Sequence, residues 1–142
     1  MKAHCCINVL LTLAQHEVYK AFAEQLSPFG ITPRQYHVLS CLWQHDICTP
    51  KEVSMALQLN TATISILLDQ LEKGGLIDRK MAVEDRRSIQ ITVTEKGLSI
   101  RDNVLQTIAV LNDEFLRRFT VEQRRAFVRA LQKLAGSNGL RA

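Results

Sequence analysis

Thr61, Thr63, Ser65, Ile66 and Gln70 lie close together in a stretch whose apolar residues, Ile64, Leu67, Leu68 and Leu71, recur at i, i+3, i+4 and i+7. That spacing buries one face of a helix and turns the hydroxyls and the amide outward. Short hydroxyls near a helix N-terminus bind phosphate, and Thr, Ser and Gln reach base edges. Ile66 in the middle of that polar face then has a partner to expect: the methyl group of thymine in a major groove. A short way downstream Arg79, Lys80, Arg86 and Arg87 cluster around Asp85. Two arginines at a hairpin tip suit a narrow minor groove, where the negative potential is strengthened, and Asp85 would brace them. A solvated surface helix has the same polar types, so the arginines beside it carry the weight of the nucleic-acid reading.

Cysteine and histidine offer other chemistries. Cys5 and Cys6 stand at the start of a helix, where the backbone dipole favours the reactive thiolate, and so are the redox candidates. Cysteine is also simply a small apolar residue, and Cys41 suits that use. His37, Cys41 and His45 lie at i, i+4 and i+8 with Cys48 just beyond. Residues spread over two turns rarely converge on one ion, and no carboxylate joins them on that side, so no metal site is expected. The four cysteines include no CxxC and do not suggest a disulfide framework. There is no GxSxG, no phosphate-binding glycine loop and no HExxH; an enzyme and a bound cofactor are not expected.

The elements that must position these residues are legible from their ends. The chain has 142 residues, 46% of them hydrophobic, and 18 Lys+Arg against 14 Asp+Glu give a net charge of +4. That mildly basic balance fits a nucleic-acid partner. An apolar stripe from Ile7 through Leu10, Leu11, Ala14, Val18 and Phe22 to Leu26 predicts a first helix. Its apolar run is too short to span a bilayer, no membrane is expected, and the reading is cytoplasmic. The segments TPRQ (32–35), TPKE (49–52) and TVEQ (120–123) each have the capping-box pattern, two of them with proline at the first helical position. Asn60 caps the helix over 61–73, and Gly74 and Gly75 end it. Ile89, Ile91 and Val93 alternate with polar residues, predicting a half-buried strand that pairs with the LIDRK segment across a charged loop. Thr94 opens a long helix carrying Leu98, Val104, Ile108, Leu111, Phe115 and Phe119 inward. A last helix turns Phe127, Leu131 and Leu134 inward, and the tail frays.

The fold class that follows is mostly α with a small β-hairpin wing. A winged helix-turn-helix over 32–94 is flanked by a helical dimerisation domain from 1–31 and 95–142. The flanking helices carry more apolar surface than so small a centre could cover, which predicts a homodimer.

Residues 39–97 resemble the winged-helix core of the multiple-antibiotic-resistance regulator (MarR) family. The resemblance rests on T.TISILLDQLEKGGLI with its glycine exit, on DRR in the wing and on TEKG opening the next helix. It implies a homodimer on a pseudo-palindromic operator in double-stranded DNA, usually a repressor, released by a small-molecule effector or by cysteine oxidation. Thr61, Thr63, Ser65, Ile66 and Gln70 become major-groove candidates, and Arg86 and Arg87, with Arg79 nearby, contact the flanking DNA. The family's ligand crevice maps to Arg34, Tyr36, His37 and Cys41. Its peroxide-sensing branch pairs a helix-1 cysteine with a tyrosine, for which Tyr19 and Tyr36 are available. Its zinc-sensing branch has a histidine pair where this chain has Ile108 and Asn112. The family often has arginine at the position of Ile66 and basic residues at that of Gln70. Fewer charged contacts predict a shallower salt dependence here. The alternatives are a winged helix that docks protein without sequence-specific DNA binding, and a metal-sensing regulator.

Overall fold

The computed structural model describes residues 6–45, 48–82 and 88–136. Cys5, Asp85, Arg86, Arg87 and the expected frayed tail lie outside the described residues. The elements follow in the order α1 (Ile7–Leu26), a single 3₁₀ turn (Ser27–Phe29), α2 (Pro33–Trp43), α3 (Pro50–Leu57), α4 (Thr61–Lys73), β1 (Ile77–Met81), β2 (Ile89–Val93), α5 (Glu95–Ser99), α6 (Arg101–Leu116) and α7 (Val121–Leu134).

Local chemistry sets the helix starts. Thr32, Thr49 and Thr120 each accept a hydrogen bond from the N3 backbone amide, and the N3 side chain accepts one from the amide of the cap, so all three capping boxes are closed. Asn60 accepts from the Thr63 amide at 2.8 Å and starts α4. The end of α4 is a Schellman motif. Gly75 takes φ +74, its amide donates to the Glu72 carbonyl, and the Leu76 amide reaches back to the Leu71 carbonyl. A side chain at Gly75 would meet the steric cost of the left-handed region, and that fixes where the chain leaves the helix.

The core is one cluster shared by α1, α2, α3, α4, α6 and the hairpin, centred on Leu26, Leu39, Leu42, Val53, Ile64, Leu68, Leu71, Ile77, Ile91 and Val104. The strands pair antiparallel in the register Ile77 opposite Val93 through Met81 opposite Ile89. Cys48 adds an isolated bridge to Ile91, so the segment before α3 acts as a third strand position against the wing.

Several expectations change. The helix opened by Thr94 is interrupted: α5 ends at Ser99 and α6 starts at Arg101, with Ile100 between them. Leu98, expected inward, is exposed, and Gly97 is the buried residue of α5 instead. Ile89 is also exposed, because it lies at the far end of the hairpin, while Ile91 carries the burial of the strand. In the single chain Phe127, Leu131 and Leu134 are exposed too. They face away from the core cluster, although Phe119 stacks on Phe127 with ring centroids 5.2 Å apart.

Candidate nucleic-acid interface

The face of α4 opposite Ile64, Leu67, Leu68 and Leu71 is open. Thr61, Ser65, Ile66 and Gln70 are exposed and Thr63 is half-buried. Ile66 is 58% exposed and lies four residues after exposed Ala62 on the same side of the helix. The outward face is therefore an apolar strip edged by hydroxyls and an amide.

Behind this face the exits of α4 and of the hairpin are tied together. Thr94 donates from its backbone amide to the Leu76 carbonyl at 3.1 Å and from its hydroxyl to the Gly75 carbonyl at 2.6 Å. Lys96 Nζ donates to the Gly74 carbonyl at 2.8 Å, which satisfies a carbonyl that the ended helix leaves free. Gly97 packs so tightly that a Cβ there would overlap the Leu76 carbonyl oxygen and lie 2.6 Å from Val93 Cγ1. The Trp43 indole donates to the Gly97 carbonyl at 3.2 Å. This knot explains the TEKG sequence: threonine caps, lysine fills a carbonyl, and glycine permits the approach.

Arg79 is placed differently from a free DNA contact. From β1 its guanidinium bridges back to α4, pairing with Asp69 and with Glu72 at 3.2 Å, and its backbone amide donates to Glu72 as well. Its side chain is only 23% exposed. The hydrogen bond from Arg79 holds the Glu72 carboxyl below its ordinary pKa, and the two carboxylates hold Arg79 charged. Arg79 thus clamps α4 to β1 and neutralises two acidic groups on the exposed side of α4. Sequence reasoning missed this pair; the signal available was Asp69 and Glu72 at i, i+3 on the polar side of α4. It also missed the second bond of Gln35, whose amide nitrogen donates to Gln70 Oε1 at 3.0 Å.

The effector candidates separate, two of them lining one cavity, one lining another and one lining neither. A cavity of about 510 Å³ lies between α1, the start of α2 and Leu59, lined by His16, Tyr19, Phe22, Arg34 and His37 among others. Burial lowers the His37 pKa, and the Arg34 charge lowers it further. Tyr36 does not line this cavity; it packs beside Trp43 and His37, and burial raises its pKa. Cys41 belongs to a smaller cavity of about 240 Å³ with His45, Cys48 and Glu52. There burial raises the Cys41 thiol, and it pushes Cys48 up to about 11 with help from the neighbouring thiol and Glu52. Both thiols are free and poorly ionised. Cys6 stands at the N-cap of α1, as its position in the sequence implied, and is half-buried. Among the described residues no group of three His, Cys, Asp or Glu side chains is placed to hold a metal, and no helix is long and apolar enough to cross a membrane.

This geometry, an exposed helix face braced by a hairpin, has close counterparts. The MarR family model matches residues 31–89. An organic hydroperoxide resistance transcriptional regulator of Bacillus subtilis (strain 168) is 33% identical over 105 residues, covering 74% of this chain and 71% of the relative. The chain belongs to the MarR family. Its relatives are transcriptional regulators rather than enzymes. In solved structures the MarR fold of this chain superposes on MepR in the S. aureus MepR–DNA complex with a TM-score of 0.86 and 26% identity, over 93% of this chain and 98% of that one. The PcaV transcriptional regulator from Streptomyces coelicolor, solved with its natural ligand, has the same fold at a TM-score of 0.89 and 22% identity, over 96% of each chain. The chain is thus a MarR-type winged-helix transcriptional regulator.

Proposed function

We propose that this regulator is a homodimeric repressor that reads a pseudo-palindromic operator with α4 and grips the flanking minor groove with its wing. The observation that carries the reading is Ile66, apolar and exposed in the middle of a hydroxyl-edged helix face. An uncovered isoleucine there gains by packing on a thymine methyl, and Thr61, Thr63, Ser65 and Gln70 supply polar contacts around it. Arg86 and Arg87 enter the minor groove with Asp85 bracing them, and Arg79 positions the wing from behind. The MepR–DNA complex supports this use of the fold.

The segments 1–31 and 95–142 form the dimerisation part around a DNA-binding part at 32–94. Exposed Ile7, Leu10 and Leu13 on α1 and Phe127, Leu131 and Leu134 on α7 support a partner copy there. Release comes from a small molecule in the cavity lined by Arg34 and His37; the ligand-bound PcaV structure supports that route. A second reading is oxidation at Cys5 or Cys6, favoured by the similarity to a regulator of organic hydroperoxide resistance. Such a regulator works in the cytoplasm.

The test is fluorescence anisotropy on a selected operator duplex and on a random duplex of equal length. Arg86→Ala weakens binding to both, whereas Ser65→Ala and Ile66→Ala reduce the preference between them. Equal losses on both duplexes for all three variants would reject this division of labour.

A further inference from the structure

Gln35 and Gln70 are joined across α2 and α4, and the direction of that bond is determined by the backbone. The Thr32 amide, a donor that cannot be reversed, donates to Gln35 Oε1 at 3.0 Å to close the capping box. With its oxygen committed there, Gln35 turns its NH₂ toward α4 and donates to Gln70 Oε1 at 3.0 Å. The Gln70 carbonyl is thereby drawn back toward α2, and its NH₂ group, carrying two hydrogens, is left for whatever lies outside the exposed face of α4. An isolated surface glutamine turns its amide either way and pairs bidentately with adenine N6 and N7. Gln70 is held to one orientation.

We infer that Gln35 is a specificity-determining positioning residue: it fixes Gln70 as a hydrogen-bond donor, so Gln70 selects a keto base, guanine or thymine, over adenine or cytosine. This rests on the proposal that α4 reads the major groove. In that groove guanine offers O6 and N7 and thymine offers O4, all acceptors; cytosine offers only the N4 donor, and the one acceptor of adenine, N7, stands beside the N6 donor, which would face the Gln70 NH₂ group.

The substitution that tests this is already represented in the chain. Glu52 closes the Thr49 capping box in the role that Gln35 has at Thr32. Gln35→Glu therefore keeps the cap and the helix start but replaces the donor that faces Gln70 with a second acceptor. Gln70 then reverses, giving its NH₂ to the introduced carboxylate and turning Oε1 outward. Wild-type chain, Q35E and Q70A would each be used to select duplexes from a randomised library, with circular dichroism melts to confirm that all are folded. The wild type enriches G or T at one base position per half-site by roughly fivefold or more, the scale of one base-edge contact. Q70A loses that preference, and Q35E shifts it to A or C at the same position. An unchanged keto preference in Q35E, or an adenine preference in the wild type, overturns the inference while leaving DNA reading intact. A wild type that selects no sequence overturns the DNA reading and the inference with it.

Discussion

Gly97→Ala is the most direct test of the knot behind α4. The added methyl would overlap the Leu76 carbonyl oxygen and sit 2.6 Å from Val93 Cγ1. Val93 has one preferred rotamer to leave, but the carbonyl is backbone, held by the Thr94 amide, and cannot swing aside. Overpacking of this kind costs about 1–3 kcal/mol. Moving Gly97 away also stretches the Trp43 bond to its carbonyl, worth about 1 kcal/mol. Against this, alanine restricts the unfolded chain and gains about 0.4–1 kcal/mol where its backbone angles are allowed. The net is a loss of about 2 kcal/mol. For a chain of this length that lowers the thermal midpoint by roughly 6 °C, at ~3 °C per kcal/mol. The assay is a reversible melt of wild type and variant at one protein concentration, since dimerisation would otherwise shift both midpoints. A variant as stable as the wild type, or more stable as a glycine-to-alanine change in an open helix would be, refutes the close-approach argument.

Three further outcomes are expected. Glu72 should titrate below the ordinary glutamate value of about 4.3, because Arg79 donates to it. Its contribution is therefore present above that value and lost as the pH falls through the lowered one. Carboxyl-detected NMR reads this directly, and Arg79→Ala should return Glu72 to normal; an unchanged midpoint would mean that the clamp is not populated. His37 should stay neutral below the ordinary histidine value of about 6.5, so the fold loses stability as the pH drops from there toward its lowered value. Arg34→Ala should move the His37 imidazole titration upward, and a downward or absent shift would contradict the assigned cause. Cys48, with its thiol pushed up to about 11 and buried, should alkylate far more slowly in native protein at neutral pH than after denaturation. Equal native and denatured rates would show that the thiol is neither shielded nor un-ionised.

What could be read from the sequence was what is decided locally. The capping boxes at Thr32, Thr49 and Thr120 and the glycine exit of α4 are determined by residues three to five apart, and all form as their spacing implies. The buried face of α4 was equally legible, since Ile64, Leu67, Leu68 and Leu71 follow the helical period. The break at Ile100 was not, because Thr94 opens a good helix and neither glycine nor proline stands at Ile100 or beside it to mark an interruption. Arg79 looked like a DNA contact because its carboxylate partners, Asp69 and Glu72, belong to another element. Gln35 has a complete local role as a cap, and only the meeting of α2 with α4 reveals its second bond. Tyr36 and Cys41 shared a helix with His37, yet Tyr36 turns toward Trp43 and Cys41 lies a full turn further along α2, so His37 lines one cavity, Cys41 another and Tyr36 neither.

A hydroxyl-radical footprint of the full chain on the DNA upstream of its own gene tests the central claim most directly. A homodimer reading the major groove with two copies of α4 predicts two protected segments whose centres lie one helical turn apart, about 10 base pairs, with protection extending into the flanking minor grooves. A single protected patch would contradict the dimeric reading, and protection that does not differ from a scrambled duplex would contradict sequence-specific recognition by this protein.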